Sequence, residues 1–374
     1  MAMFPPSIPH TFVRWLTEPG DVVYDPFSGR GTTAFEACLQ GRIGVASDLN
    51  PIALILSAAK VDPPTQTGLE RRLKDLRGRI RVLNSSDEPT RIRMLFTKRT
   101  LGQLLWLRQQ LDARSRVDRF LLAHLLGVLH ANADRSGTPR GLTVSMPNTF
   151  AMSPDYISRF IQERQLIAPE VDVIERLEER VARFPLPGRA FQRGSVWRQD
   201  ATTRIRWAAS SSAAKLIFTS PPYLQVILYG KMNWIRLWLL GYDRADVDSS
   251  LFSSSSLARY LDFIARFANQ ARGVLRDDGF LCLVIGDVRR GEKHLNLAHH
   301  VQRHLMKTSS LRALGSISDS VPLQHKVSRI WKDTKGRATK TDRILIFGGP
   351  DARLPPERIE VDWNGSTTAL GGIA

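Results

Sequence analysis

The apolar positions of this chain follow two rhythms, one near its ends and another through its middle. Short apolar runs bounded by Asp, Gly, Pro or Ser read as strands at residues 21–25, 42–47, 195–198, 215–219, 279–285 and 343–348. Residues 32–40 between the first two read as a helix, and residues 51–59 begin another. Such alternation is the signature of a parallel α/β sheet. The rhythm stops at Val61-Asp62-Pro63-Pro64, where consecutive prolines block a helix. From there the period is helical. Residues 69–84 form a basic helical run, and residues 97–111 place Leu101, Leu104, Leu105 and Leu107 at helical spacing. Residues 119–130, 156–165 and 171–183 read as further helices, with a loop rich in Gly, Pro, Ser and Thr over 133–154. Pro185-Leu186-Pro187-Gly188 closes the section. A helix over 256–275 leads through the turn Asp277-Asp278-Gly279 into the strand at 279–285. The pattern predicts an α/β domain in two pieces, residues 1–59 and 193–350, around a mostly helical insertion at 60–192. Residues 351–374 read as a tail.

Composition adds a partner to this outline. The 374 residues are 43% hydrophobic, enough for a sizeable core, and no stretch approaches the roughly 20 apolar residues of a membrane span. The three prolines and missing apolar core of the first fifteen residues argue against a signal peptide. Cys38 and Cys282 each lie in apolar surroundings, as buried reduced thiols of an intracellular protein do. Two cysteines without a close histidine cluster speak against a structural metal site. The net charge is +17 and uneven: residues 71–140 carry 16 Lys and Arg against 6 Asp and Glu, and residues 289–343 carry 13 against 4. Two basic regions on a near-neutral body suit a polyanion such as DNA or RNA, because a merely solubilising surface mixes its signs.

Two turns carry candidate chemistry. The first strand runs into Asp25-Pro26-Phe27-Ser28-Gly29-Arg30-Gly31-Thr32-Thr33 and then a helix. A strand ending in an acid, a glycine turn and a helix handle nucleotides, because glycine lets backbone approach a ligand closely. No Gly-Lys-Ser/Thr follows, so this is not a phosphate loop. Asp48 ends the second strand about 20 residues on, where an acid can bind ribose hydroxyls. The strand Lys215-Leu216-Ile217-Phe218 runs into Thr219-Ser220-Pro221-Pro222-Tyr223. Consecutive prolines fix that backbone and remove two N–H donors, leaving the Ser220 side chain and the Pro221 carbonyl as acceptors. Tyr223 offers a flat ring on which a base can stack.

Together these motifs resemble the S-adenosylmethionine-dependent DNA amino-methyltransferases that act on cytosine N4 or adenine N6. The likeness covers roughly residues 4–59 and 195–348. It implies a class I methyltransferase fold, Rossmann-like, with a doubly wound, mostly parallel sheet and a helical inserted target-recognition region. It implies S-adenosyl-L-methionine as cofactor, held by Asp25, Pro26, Phe27, Ser28, Gly29, Gly31, Thr32 and Thr33. Asp48 and Leu49, Asp200 and Ala201, and Ser220 complete that set, Asp200 binding the adenine amine. The segment ending in His10, Thr11 and Phe12 resembles the one that holds the methionine end. Ser220, Pro221, Pro222 and Tyr223 are the implied catalytic turn, acting on a base flipped out of the duplex. No metal is implied. Residues 229–240 resemble the segment that follows this turn, with Trp234 and Trp238 on one helix face as core. Asp287 follows the strand at 279–285. Residues 332–340 resemble the late loop flanking the flipped base and supply Lys335, Arg337 and Lys340 to DNA.

The insertion is the expected DNA reader. Arg71, Arg72, Arg77, Arg79, Arg81, Arg91 and Arg93 are its candidate phosphate contacts, with Arg135 and Arg140 in the loop beyond. Ser-Pro-Pro-Tyr favours cytosine N4, while the order of the motifs, cofactor turn first, is unusual for that base. Adenine N6, a guanine amine of RNA, and a catalytically silent DNA-binding protein are the alternatives. The expected partners are double-stranded DNA and a cognate restriction endonuclease, with no membrane. The expected setting is a bacterial cytoplasm, the chain associated with the nucleoid as a monomer or weak dimer.

Overall fold

The computed structural model describes residues 4–130, 140–145, 152–188, 190–205, 213–224, 228–290, 293–319, 342–356, 361–363 and 366–368. The chain divides into two compact units, one of residues 1–57, 189–227 and 252–374, the other of residues 58–188 and 228–251.

The first unit is built on a seven-stranded sheet. Its strands are β1 (Val22–Asp25), β2 (Ile43–Asp48), β3 (Ser195–Arg198), β4 (Ala214–Thr219), β5 (Leu275–Gly286), β8 (Arg312–Asp319) and β9 (Asp342–Gly348). The order is β3-β2-β1-β4-β5-β9-β8. The pairs from β3 through β5 are parallel, and β9 runs antiparallel to both β5 and β8. This is the doubly wound, mostly parallel sheet expected of a class I methyltransferase. Two small hairpins, β6 (Val288–Arg290) with β7 (Lys293–Leu295) and β10 (Val361–Trp363) with β11 (Ser366–Thr368), lie outside it.

Both faces of the sheet are covered, so its central strands carry apolar residues on both faces rather than at alternate positions only. Val23, Leu216, Phe218, Cys282 and Ile346 point into one core with Ile8, Phe12, Val13 and Leu16 of α1 (Ser7–Leu16) and Ala37 of α2 (Thr32–Leu39). Val22, Tyr24, Ile217, Leu281, Leu283 and Phe347 point into the other, with Tyr260, Phe263, Ile264 and Phe267 of α13 (Leu257–Arg272) and Val301 and Leu305 of α14 (Leu297–Thr308). Helix α3 (Pro51–Val61) follows β2.

The second unit is helical. Its elements are α4 (Gln66–Arg79), α5 (Thr90–Arg93), α6 (Lys98–Gln110), α7 (Arg116–Leu129), α8 (Pro154–Glu163), α9 (Val173–Ala182), α10 (Tyr229–Met232), α11 (Trp234–Leu240) and α12 (Arg244–Ser250). Side chains of Thr65, Thr97, Ser115, Ser153, Asp172 and Asp243 accept the first free backbone N–H groups of α4, α6, α7, α8, α9 and α12. Helices α4, α6, α7 and α9 pack among themselves, and α11 packs on α6 and α7.

Several boundaries depart from the sequence reading. Residues 228–251, assigned to the catalytic piece, belong to the helical unit. The N-terminal segment is a helix, entered through Pro5 and Pro6, where a missing N–H costs nothing. The expected turn at Asp277-Asp278-Gly279 is instead an irregularity within β5. Ala214 pairs with Leu275 and Leu216 with Phe280, so five positions on β5 match two on β4. Helix α14 and strand β8 lie in a stretch where neither was expected.

Candidate active site

The strand order reverses between β1 and β4: β2 and β3 lie to one side, β5 and its antiparallel neighbours to the other. In open α/β sheets ligands bind outside the carboxyl ends of strands at such a point. The two turns singled out in the sequence follow those two strands. They are joined directly, because the Thr219 hydroxyl donates to Asp25 Oδ1 at 2.6 Å. Both are buried, with Asp25 only 2% exposed and Thr219 fully covered.

Asp25 is an uneasy carboxylate. Burial pushes its pKa up to about 6 against the lowering effect of the bonds from Thr219 and from the Phe27 N–H. The Thr33 hydroxyl lies near enough to favour the charge without reaching hydrogen-bond geometry. Both bonds fall on Oδ1; Oδ2 accepts none from a described residue. Among the described residues no Lys or Arg forms an ion pair with Asp25.

The glycine turn is shaped from three sides. Asp48, at the end of β2, accepts Gly29 N–H on Oδ2 and Asn50 N–H on Oδ1, each at 2.9 Å. Burial raises the Asp48 pKa against those bonds. The Ser28 N–H donates to the Ser47 carbonyl, and the Ser28 and Ser57 hydroxyls lie 3.1 Å apart. Gly31 takes a left-handed φ of +71°, and a Cβ there would lie 2.7 Å from the Cα and Oγ of Ser57. Its lack of a side chain serves the packing of α3 against the turn rather than an approach to ligand. Gly29, at φ +50°, is the glycine left for that approach. Pro26 is buried, Phe27 packs tilted against Phe263 and edge-on against Phe267 of α13, Thr33 is buried, and Thr32 and Leu49 are half-buried.

Asp200 follows β3 on the same edge, where Gln199 N–H donates to the Asp48 carbonyl. Asp200 Oδ1 accepts both the N–H and the hydroxyl of Thr202 at 2.8 Å, and no described residue donates to Oδ2. Ala201 beside it is buried.

In the second turn Ser220 Oγ donates to the Val284 carbonyl of β5 at 3.3 Å. That bond spends the only hydroxyl proton and leaves the oxygen an acceptor. Pro221 is buried, and Pro222 and Tyr223 are half-buried. Tyr223 lies close enough to Tyr260 to help burial raise the latter's pKa. Asp287 holds Arg343 through both carboxylate oxygens, at 3.3 and 3.1 Å, so it clamps β5 to β9 and is not an open site group.

Some expectations need correcting. Phe12 is fully buried against Phe218, with ring centroids 5.0 Å apart, as part of the core. The Thr11 hydroxyl donates to the Ser7 carbonyl, and His10 Nδ1 lies 3.0 Å from Glu36 Oε2. None of these partners belongs to the glycine turn. In the helical unit, Arg72 is bonded to Asp75, Asp118 and the Gln110 carbonyl, which pins α4 to α7. Arg77 forms a two-pronged pair with Glu178 of α9, and Arg79 reaches Asp75. Arg72 and Arg77 hold helices together, because each meets an acid brought near by packing, whereas Arg79 pairs with Asp75 one turn away on α4 itself. Arg71, Arg81, Arg91 and Arg93 are exposed and outside any ion pair among the described residues, and Arg140 is exposed. Arg135, Lys335, Arg337 and Lys340 lie outside the described residues. Thr219 and Ser57 were not expected at the site. Thr219 stood inside the quoted motif, whereas nothing in the sequence marks Ser57.

Among protein families, the one described as DNA methylase, grouping N6 and N4 enzymes, matches residues 1–55. No curated protein matches the sequence. Among solved structures, TrmN from Thermus thermophilus is 11% identical with a TM-score of 0.35, over 92% of this chain and 49% of its own. This chain thus spans about half of that protein's length. The rRNA methyltransferase AviRa from Streptomyces viridochromogenes is 13% identical with a TM-score of 0.35, over 93% of this chain and 86% of its own. The cytosine-N4-specific PvuII DNA methyltransferase is 14% identical with a TM-score of 0.25, over 39% of this chain and 45% of its own. The DNA methylase match takes in α1, the glycine turn and Asp48, and ends before the Ser-Pro-Pro-Tyr turn.

Proposed function

We propose that this chain is an S-adenosylmethionine-dependent DNA methyltransferase acting on an exocyclic base amine, cytosine N4 in preference to adenine N6. The observation that supports it most is the 2.6 Å bond from Thr219 to Asp25, which sets the acceptor-bearing turn beside the glycine turn at the strand-order reversal. The DNA methylase match over residues 1–55 supports the same reading.

The residues present suit the cofactor. A buried carboxylate with an unpartnered oxygen and a raised pKa calls for a cation, and the cofactor carries an ammonium. Asp25 and the backbone at Gly29 hold the methionine end. Asp48 accepts ribose hydroxyls on its remaining lone pairs, and Asp200 Oδ2 accepts the adenine amine. When bound, S-adenosylmethionine supplies an electrophilic methyl on sulfonium.

The chain's own work is positioning. A base amine is a poor nucleophile because its lone pair is delocalised into the ring. The Ser220 oxygen and the Pro221 carbonyl accept its two N–H bonds and favour the tetrahedral geometry that frees the lone pair. Tyr223 stacks on the flipped base. The methylated amine then loses a proton to water. Duplex DNA is the substrate, read by the exposed arginines of the helical unit, and a partner endonuclease of the same site completes a restriction-modification pair.

The test is transfer of labelled methyl to duplex DNA, with nucleosides resolved by mass spectrometry. N4-methylcytosine is expected. N6-methyladenine would move the specificity, and cofactor binding without either product would overturn the proposal. Ser220→Ala and Tyr223→Ala should each remove the product while leaving the melting temperature unchanged.

A further inference from the structure

The helical unit contains a cavity of about 100 Å³ that the proposed chemistry does not use. Arg91, Pro154, Trp234, Trp238, Tyr242 and Arg244 line it, and Asp243 completes the rim. The indole N–H groups are tied back into the protein. Trp234 Nε1 donates to the Met152 carbonyl at 2.9 Å, and Trp238 Nε1 to Glu88 Oε2 at 2.7 Å. Held this way, the two rings cannot turn a polar edge to an occupant. Tyr242 is 46% exposed, yet its backbone is fixed by the turn that ends α11. Its N–H bonds to the Leu237 carbonyl, and that of Gly241 to the Trp238 carbonyl, with Gly241 in the left-handed region.

The charge at the rim is open. Arg91 and Arg244 are exposed and form no ion pair among the described residues, unlike Arg72 and Arg77 nearby in the chain. Asp243 adds one carboxylate, but its Oδ1 already accepts the N–H groups of Ala245 and Asp246. A rigid aromatic lining, two unpaired guanidinium groups and one spare acceptor oxygen match a planar, amine-bearing ring attached to a phosphate. Aromatic platforms with arginine recur where proteins hold unstacked bases.

We propose that this cavity seats one unstacked nucleotide of the DNA strand, distinct from the base that is methylated, with Tyr242 as its stacking surface and Arg91 and Arg244 on the flanking phosphates. The inference rests on DNA as the substrate and adds a second, non-reacting base contact in the helical unit.

The test uses the full chain and fluorescence anisotropy with a single-stranded ten-nucleotide DNA and an abasic strand of the same length. The wild type should bind the base-bearing strand more tightly. Tyr242→Ala should lose about tenfold of that preference, within the range of one stacked base, while Tyr242→Phe keeps it. The Arg91→Ala/Arg244→Ala pair should weaken both strands and reduce the salt slope by about 1.4. Circular dichroism should show Tyr242→Ala folded. An unchanged base preference in Tyr242→Ala overturns the proposal. So does displacement of the strand by deoxyadenosine monophosphate as effective, mole for mole, as that by the ten-nucleotide DNA, which would make the cavity a free-nucleotide site. Methyl transfer to duplex DNA by a Tyr242→Ala protein with unchanged base preference would remove this inference alone. Loss of all DNA binding and transfer in the wild type would remove the function reading.

Discussion

Replacing Asp25 by Asn should stabilise the cofactor-free protein at neutral pH while weakening its hold on S-adenosylmethionine. The carboxyl pKa rises from the ordinary 3.8 to about 6 because burial penalises its charge more than the Thr219 and Phe27 bonds reward it. A folded-state pKa above the unfolded one means that the ionised group opposes folding. The contribution of this group to stability is therefore greatest below about pH 4 and is lost as pH rises through 6. Two pKa units correspond to about 3 kcal/mol. Asparagine keeps Oδ1 for the Thr219 hydroxyl and the Phe27 N–H, but its new NH2 group has no described acceptor, a cost of about 1–2 kcal/mol. The net gain above pH 7 should be about 1–2 kcal/mol, reversing to a small loss below pH 4. Urea unfolding of both proteins from pH 4 to 8 measures the difference, which cancels titrations they share. Calorimetry with S-adenosylmethionine measures the functional side. A pH-independent difference, or an asparagine variant that falls further behind as pH rises, refutes the reasoning.

The same physics reaches other parts of the molecule. His124 is half-buried between Phe120 and Phe184 with Arg180 nearby, and its pKa is pushed down to about 4. Its contribution to stability is thus present above the unfolded value and lost as pH falls from about 6.5 to 4, by up to about 3 kcal/mol. His124→Phe should flatten that decline in urea titrations, and an unchanged slope would count against it. Gly31→Ala forces a left-handed φ on alanine and drives a methyl to 2.7 Å from Ser57, so thermal unfolding should show a loss of about 2–4 kcal/mol. A variant melting like the wild type would show that α3 can move aside. Arg72→Ala should cost about 2–3 kcal/mol by leaving the buried Asp118 carboxylate without its pair. Arg81→Ala should change stability by less than about 0.5 kcal/mol yet weaken duplex binding in anisotropy titrations. Equal effects of the two on stability would contradict the division drawn between them.

Legibility in the sequence followed burial. β1, β2 and β4 are apolar on both faces, so their runs stood out without alternation, and strong turn chemistry marked their ends. β8 is an edge strand with half-exposed positions through most of its length, and α14 carries five basic or histidine positions among its apolar ones; neither offered a clear period. α1 was hidden by its prolines, which signal a break inside a helix but are harmless before or within its first turn, where no intrahelical N–H bond is lost. Residues 228–251 follow the Ser-Pro-Pro-Tyr turn in the chain, and only their packing on α6 and α7 assigns them to the helical unit.

The candidate site divides in the same way. The linear order of residues specifies what a local turn needs: an acid at a strand end, a glycine able to take a left-handed φ, and two prolines that strip donors from a turn. These are properties of a few neighbouring residues and survive in any sequence window. Contact between distant residues has no local signature. Sheet pairing brings Thr219 to Asp25 across 194 positions, and helix packing closes Ser57 on Gly31. It also sets Asp118 and Glu178 against arginines that look alike in sequence. The fold therefore decides which carboxylate is strained, which glycine is steric and which arginines remain free for a polyanion.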